Sequence, residues 1–170
     1  MDIKNEQINS IPEFYNRKSV FITGGLGFLG KVLVEKLLRS CPGIENIYLL
    51  VRALKCENTD EMLNELTTSK VFDVLREKNP KALSKIILIE GDTSKLELGI
   101  SKENQKILCD KVSVIIHSAA TVKFNEPLKV AVNTNLRSLD ELIKMSRQME
   151  DLKVSCKVVI SKVRNFLKVL

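Results

Sequence analysis

Short apolar runs alternate with longer amphipathic patterns along this chain, and that alternation constrains its fold more than any other feature. Most of the short runs are continuously apolar, which is typical of parallel strands buried on both faces. Strands separated by helices require right-handed βαβ crossovers, so the chain is predicted to be an α/β protein with a doubly wound parallel sheet. The predicted strands span residues 19–23, 46–51, 85–90, 112–117 and 157–161.

Helical spacing of apolar residues predicts the segments between the strands. The helix over 29–39 is stopped by Pro42-Gly43, and the helix over 59–78 is capped by Asn58 or Thr59 and stopped by Asn79-Pro80. Two further helices are predicted, over 101–109 with Ser101 at its start and over 127–149. Residues 1–17 are predicted to be a poorly structured lead-in or a short helix that ends near Pro12.

The size and composition of the chain indicate one globular domain. Its 170 residues weigh 19.2 kDa, and the apolar share of 44% and charged share of 28% are typical of a folded protein rather than a disordered one. No apolar run approaches the roughly 20 residues that cross a bilayer. Residues 1–6 lack the apolar stretch of a secretory signal. We therefore expect an intracellular, cytosol-facing protein with no membrane segment in these residues.

The chain carries a formal net charge of +6, from 27 Lys and Arg against 21 Asp and Glu. This excess fits either an anionic partner, such as a phosphate-rich cofactor, or a solvated basic surface. Nucleic-acid binding by stacking is disfavoured, because aromatic residues make up only 5% and no long basic block occurs.

The cysteines and the single histidine do not form a metal-binding pattern. Cys41, Cys56, Cys109 and Cys156 are widely spaced without a C-x-x-C pair, and His117 is the only histidine. We predict no metal site and reduced, mostly buried thiols.

The first predicted strand ends in a glycine-rich loop that opens the first long helix. Gly24, Gly25, Gly27 and Gly30 satisfy both G-x-x-G-x-x-G and G-x-G-x-x-G. Glycine permits the tight turn and the close approach of backbone N–H groups to a pyrophosphate at the helix N-terminus. The strand–loop–helix context favours a Rossmann-like dinucleotide site over a ligand-free turn.

The next two strand ends predict how the adenosine half is recognised. Arg52 follows the second strand, with no acid before Glu57, and a guanidinium suits a ribose 2′-phosphate. NADPH is therefore favoured over NADH, the alternative being a surface arginine. Asp92 follows the third strand and could accept a hydrogen bond from the adenine amino group; the alternative is an Asx turn or helix cap.

Small residues follow the fourth strand. Ala119 and Ala120 would allow a flat cofactor to lie against the backbone. His117, at the end of an apolar strand, is interpreted as a packed core histidine rather than a catalyst.

Several of these segments together resemble the fatty acyl-CoA reductases, of the extended short-chain dehydrogenase/reductase group. The resemblance covers about residues 18–154. It implies that NADPH reduces a long-chain fatty acyl-CoA through an aldehyde to a primary alcohol. Members are often associated with endoplasmic-reticulum or peroxisomal membranes through segments that do not occur in these residues. The segments that carry the resemblance are 23–39, 47–52, 71–76, 89–92, 117–124 and 126–128.

The resemblance also implies roles for individual residues. Arg52 would meet the 2′-phosphate and Asp92 the adenine, while Ala119 and Ala120 would flank the route to the nicotinamide. Asn135 and Ser161 are weak catalytic candidates, and an ordinary helix polar residue is the alternative for Asn135. The residues that would form the pyrophosphate loop are Thr23, Gly24, Gly27, Phe28, Leu29 and Gly30.

The chain departs from the family pattern toward its C-terminus. The family's catalytic Tyr-x-x-x-Lys is missing, since the only tyrosines are Tyr15 and Tyr48 and neither precedes a lysine at that spacing. We therefore expect a lead-in over 1–17, an incomplete NADP-binding domain over 18–161, truncated after about five strands, and a divergent tail over 162–170. Such a chain alone would be inactive. The alternatives are a non-catalytic NADP(H)-binding module, an unstable fragment or, less well supported, a sugar-nucleotide epimerase.

Overall fold

The computed structural model describes residues 10–52, 58–119 and 133–157, and these form a parallel sheet flanked by helices. The strand order is β3-β2-β1-β4-β5, and every neighbouring pair is parallel. The predicted doubly wound, Rossmann-like α/β fold is confirmed. The strands are β1 (Ser19–Thr23), β2 (Ile47–Val51), β3 (Ile86–Glu90), β4 (Val112–His117) and β5 (Val154–Lys157).

Helices cover both faces of this sheet. Short 3-10 segments at Lys70–Phe72, Pro80–Lys85 and Leu96–Gly99 connect some of them, and a π-helix spans Asn133–Arg137. The α-helices are α1 (Ile11–Phe14), α2 (Phe28–Ser40), α3 (Thr59–Thr68), α4 (Asp73–Lys78), α5 (Lys102–Lys111) and α6 (Ser138–Ser146).

Two apolar cores, one on each face, explain why β1, β2 and β4 are mostly apolar. Ile22 and Leu49 pack on the face covered by α2, α3 and α4. Phe21 and Ile115 pack on the opposite face, covered by α5 and α6. Every residue of β1, β2 and β4 is buried. Each Leu, Ile, Val or Phe buried along these strands stabilises the fold by about 1.5–3 kcal/mol.

The candidate site lies at β1, where the order in which successive strands are added to the sheet reverses direction. From β1 the chain adds β2 and then β3 on one side, and it adds β4 and β5 on the other. Thr23, the last residue of β1, pairs with Leu50 of β2 and His117 of β4. The loops after β1 and β4 therefore diverge at this edge, which is where ligands bind in open α/β sheets.

The prediction that a short helix ends near Pro12 was wrong. Helix α1 begins at Ile11, and Pro12 lies in its first turn. The first turn of a helix tolerates proline because its N–H groups have no partner within the helix. Ser10 caps the helix, since its hydroxyl accepts a hydrogen bond from the Glu13 N–H.

The single helix predicted over 59–78 is instead two helices. Asn58 caps α3 as expected, but Ser69 is extended, with φ −63° and ψ 150°, and ends the helix. The Ser69 hydroxyl donates to the Leu66 carbonyl at 2.8 Å, which satisfies an acceptor at the C-terminus of α3. Serine favours such local bonds over continued helix.

The last predicted helix and the last predicted strand differ from the structure, and each extends partly beyond the described residues. The helix predicted over 127–149 is a π-helix followed by α6 in its described part. The fifth strand begins at Val154, earlier than predicted, and residues 158–161 lie outside the described ranges. The prediction of mostly buried thiols fails for the exposed Cys156, whereas Cys41 is buried and Cys109 intermediate.

Candidate cofactor-binding site

The loop after β1 has a backbone that only glycine can adopt at Gly24. Gly24 has φ +75°, and a Cβ there would lie 2.7 Å from the Ala119 backbone nitrogen. Its carbonyl accepts a hydrogen bond from the Gly27 N–H at 3.1 Å, which closes the turn. Gly24 therefore has a left-handed backbone conformation, and the turn packs directly against the residues that follow β4.

The start of α2 is open on the side that an anion would approach. Gly27 is the N-cap of α2 and makes no side-chain capping hydrogen bond. Among the described residues other than its chain neighbours, the one atom within 4 Å of a Cβ placed on Gly27 would be the Gly24 carbonyl oxygen, at 3.3 Å. The first N–H groups of α2 and its dipole therefore fit a pyrophosphate lying over Gly27.

Gly30 explains why α2 can begin so close to the loop. A Cβ on Gly30 would lie 2.6 Å from the Cα of Gly25. The helix therefore packs directly on the turn, which fixes the direction of its N-terminus.

A cavity of about 310 Å³ joins the ends of β1, β2, β3 and β4. Leu26, Met62 and Thr93 also line it and were not predicted from the sequence, because their positions depend on how the loops fold over the sheet. The predicted cofactor residues that it brings together are Gly24, Gly27, Arg52, Asp92 and Ala119.

Arg52 and Asp92 form an ion pair at the end of this cavity that follows β2 and β3. The Arg52 Nη2 lies 3.3 Å from Asp92 Oδ1, and the two side chains are 61% and 17% exposed. Asp92 Oδ1 also accepts hydrogen bonds from the N–H and the hydroxyl of Ser94, at 2.9 and 2.7 Å. Asp92 therefore forms the Asx turn that was the alternative to adenine binding in the sequence analysis, and it also lines the cavity.

The carboxyl group of Asp92 is held ionised. Partial burial opposes ionisation, but the hydrogen bonds from Ser94 and the charges of Arg52 and Lys95 outweigh it and lower the pKa. Lys95 and Arg52 both line an adjoining cavity of about 270 Å³. Lys95 is thus a second cation near the strand ends that sequence reasoning missed.

Beneath the loop lies a buried polar cluster of Thr23, His117 and Ser138. The Thr23 hydroxyl lies 2.6 Å from His117 Nδ1, and His117 Nε2 lies 3.3 Å from the Ser138 hydroxyl. Burial and the nearby charge of Lys157 lower the pKa of His117 to about 4. His117 is therefore a neutral core histidine, as predicted.

The remaining predicted residues lie around or away from the cavity. Phe28 and Leu29 are in the first turn of α2, and Phe28 is 84% exposed. Asn135 is in the π-helix, and its carbonyl accepts a hydrogen bond from Lys157 Nζ at 3.1 Å. Ala120 and Ser161 lie outside the described residues.

No metal centre and no membrane helix are found in the part of the chain that the structure describes. Its His, Cys, Asp and Glu residues form no group of three or more that could hold a metal ion. None of its helices is long and apolar enough to span a bilayer.

Comparison with known proteins places these features in a family. The model of an NAD-binding family described as "Male sterility protein" matches residues 22–166. Fatty acyl-CoA reductase 1 of Mus musculus is 46% identical over 145 residues, which are 85% of this chain and 28% of that protein. Fatty acyl-CoA reductase wat of Drosophila melanogaster is 39% identical over 152 residues, 89% of this chain and 29% of the relative. The resemblance to fatty acyl-CoA reductases is confirmed, over less than a third of the relatives' length.

Solved structures with the same fold are reductase domains. The reductase domain of a nonribosomal peptide synthetase from Mycobacterium tuberculosis is 27% identical, with a TM-score of 0.67 over 86% of this chain and 34% of that one. The terminal R domain of the myxalamid pathway has the same TM-score at 24% identity, covering 82% of this chain and 34% of its own, and supports the fold alone. The family match, together with the 27% identical reductase domain, supports a nicotinamide cofactor.

Proposed function

The chain belongs to the Male sterility protein family of NAD-binding domains, and on that premise we propose that it is the NADPH-binding part of a fatty acyl-CoA reductase. The observation that carries the proposal is the cavity shared by Gly24, Gly27 and Arg52. It combines an open helix N-terminus for a pyrophosphate with a guanidinium where a ribose would lie.

Arg52 favours NADPH over NADH. Its ion pair with Asp92 involves one guanidinium nitrogen, and the side chain is 61% exposed, so much of the planar group faces solvent. A guanidinium can bind a phosphate through two parallel hydrogen bonds. Lys95, on the adjoining cavity, adds positive charge on the same side of Asp92. A 2′-phosphate would then take over the contact that Arg52 makes with Asp92.

The substrate class follows from the family rather than from this cavity. The curated relatives are named fatty acyl-CoA reductases, and the chain spans about 28% of the length of the first of them. We assign long-chain fatty acyl-CoA as the substrate of the whole reductase. A hydride from one NADPH, with a proton, would reduce the thioester to an aldehyde and release coenzyme A, and a hydride and proton from a second NADPH would reduce the aldehyde to a primary alcohol. Ala119 lies on the nicotinamide side of the loop in this assignment.

These residues hold the cofactor without supplying a tyrosine–lysine pair. Tyr15 is followed four residues later by Ser19, and Tyr48 by Arg52. Tyr48 is buried within β2, and burial raises the pKa of its hydroxyl. A general acid must reach the carbonyl oxygen that it protonates, which a hydroxyl inside the sheet cannot do. We infer that the 170 residues alone bind NADPH without turnover, as a non-catalytic NADP(H)-binding module would.

Binding and turnover can be tested on the same protein. The 170-residue chain is titrated with NADPH, with nicotinamide fluorescence as the signal, and then mixed with palmitoyl-CoA while absorbance of NADPH is followed. We expect saturable binding and no oxidation of NADPH above the rate of a protein-free control. Formation of hexadecanol would contradict the proposed lack of turnover. A soluble, folded chain that fails to bind NADPH would contradict the cofactor assignment.

A further inference from the structure

We propose that His117 is a positioning residue that holds the end of β4 against the glycine loop and thereby fixes the surface on which the nicotinamide half of the cofactor lies. This inference rests on the proposed NADPH site. The adenosine half is assigned to the ends of β2 and β3, and the pyrophosphate to the loop after β1. The other half of the dinucleotide must therefore extend over the end of β4.

One hydrogen bond of the cluster has a fixed direction, because the Ala119 N–H donates to the Thr23 hydroxyl oxygen at 3.3 Å. This bond uses one of the two lone pairs of the hydroxyl, which also makes a hydrogen bond with His117 Nδ1, 2.6 Å away. The tautomer of the imidazole sets the direction of that second bond, and the other ring nitrogen, Nε2, faces the Ser138 hydroxyl at 3.3 Å.

Burial makes the loss of a hydrogen bond within this cluster costly. Thr23 and Ser138 are fully buried and His117 is 1% exposed, so water does not replace a lost partner. A buried polar group without a partner costs about 1–3 kcal/mol. His117 therefore ties three elements together, namely the end of β1, the end of β4 and the start of α6.

The cluster lies beside a close backbone contact between the glycine loop and the end of β4. A Cβ on Gly24 would lie 2.7 Å from the Ala119 nitrogen and 2.8 Å from the Ser118 carbonyl carbon. The Ser118 N–H also donates to the Thr23 carbonyl at 3.0 Å. If the Thr23–His117 bond is lost, Ala119 can move relative to Gly24 while the adenosine contacts at Arg52 and Asp92 stay in place.

The variants separate this role from general stability. His117→Phe removes both hydrogen bonds, and Thr23→Val removes the hydroxyl with little change in volume. His117→Asn places an amide group near the position of Nδ1, and its oxygen or nitrogen restores a partner for the Thr23 hydroxyl. Ser113→Ala is the matched control, because Ser113 is also buried on β4 and hydrogen-bonded, in its case to Asp151 at 3.0 Å.

The measurement compares dissociation constants for NADPH and for 2′,5′-ADP, which has the adenosine half and the 2′-phosphate but no nicotinamide. We expect His117→Phe and Thr23→Val to weaken NADPH about tenfold relative to 2′,5′-ADP, the equivalent of one lost hydrogen bond. His117→Asn should recover most of the loss, and Ser113→Ala should leave the ratio unchanged. Thr23→Val decides the question if His117→Phe does not fold.

The outcomes distinguish the two proposals. Wild-type protein that binds NADPH, with variants that weaken both ligands equally or neither, overturns the positioning role alone. Wild-type protein that binds neither NADPH nor 2′,5′-ADP overturns the proposed cofactor site and this inference with it.

Discussion

Arg52 is the residue on which the proposed preference for NADPH depends most directly. It follows β2, lines the cavity and is paired at 3.3 Å with Asp92. Asp92 is in turn fixed by Ser94, so its carboxylate holds the guanidinium near the place where a ribose would lie. The ion pair orients the Arg52 guanidinium, and the Asp92 carboxylate would compete with a 2′-phosphate for that guanidinium.

Replacing Arg52 by glutamine should remove the preference for NADPH. We expect the NADPH dissociation constant to rise about 10- to 100-fold, the usual cost of losing a charge-assisted hydrogen bond of about 1.5–3 kcal/mol. The NADH constant should change little, since NADH has no 2′-phosphate. Calorimetric titration of both cofactors checks this. Arg147→Gln, at an exposed position that does not line the cavity, is the control. Equal losses for NADPH and NADH would show that Arg52 acts on something other than the 2′-phosphate.

His117 should make the stability of the protein fall as the pH is lowered from 7 to 5. Burial, together with the charge of Lys157, lowers its pKa to about 4 in the folded chain, against about 6.5 when unfolded. Between these values the unfolded chain binds more protons, so the free energy of unfolding decreases with decreasing pH, by about 2 kcal/mol at pH 5. Urea unfolding at the two pH values measures it.

The control for this pH dependence is His117→Asn, which cannot titrate in that range. Carboxyl groups with lowered pKa values, such as Asp92 and Asp151, lose their contribution mainly below about pH 4 and so fall outside the window. Parallel stability curves for wild-type and His117→Asn protein would contradict the assignment.

At the residue scale, the sequence is informative where a residue type has one dominant use. Gly24, Gly27 and Arg52, which line the cavity, were predicted from their spacing and their places at strand ends alone. The link between His117 and Ser138 could not be found, because it joins residues 21 positions apart that only the packing of α6 on the sheet brings together. Lys95 carried no signal, since one lysine among many is uninformative.

At the scale of elements, the junction between the glycine loop and α2 matters most. Gly30 lets the first turn of α2 pack on Gly25, and a Cβ there would lie 2.6 Å from the Gly25 Cα. That atom is backbone, so it cannot rotate away as a side chain would. The helix and the loop would have to separate, and the N-terminus of α2 would turn away from the pyrophosphate.

Gly30→Ala should therefore destabilise the protein and weaken cofactor binding together. We expect a loss of about 1–3 kcal/mol in the free energy of unfolding, typical of overpacking, although alanine is the better helix former. Urea unfolding and NADPH titration measure the two effects. Lys36→Ala, exposed on the same helix, should leave both unchanged. An unchanged or increased stability of Gly30→Ala would mean that the helix and the loop are not in tight contact.

Element boundaries were predictable where local chemistry decides them. Asn58 and Ser101 cap their helices as the sequence indicated, because an N-cap side chain bonds its own backbone. The break at Ser69 and the π-helix at Asn133–Arg137 were missed. Both lie inside patterns that remain helical in their apolar spacing, so periodicity alone cannot locate them.

At the scale of the whole molecule, continuous apolar strands made the parallel sheet predictable, because burial on both faces leaves no polar alternation. The order β3-β2-β1-β4-β5 places the glycine loop at the reversal point, where the loops after β1 and β4 diverge. The positive charge of the chain also gains a partial explanation. Arg52 and Lys95 line cavities at this edge, where an anionic cofactor would lie.

Calorimetric titration of the 170-residue protein with NADPH and, in parallel, with NADH tests the proposed NADPH site. We expect one NADPH to bind per chain, at least about tenfold more tightly than NADH, because of one charge-assisted contact to the 2′-phosphate. NADH binding as tightly as NADPH, or no binding of either by folded protein, would contradict it.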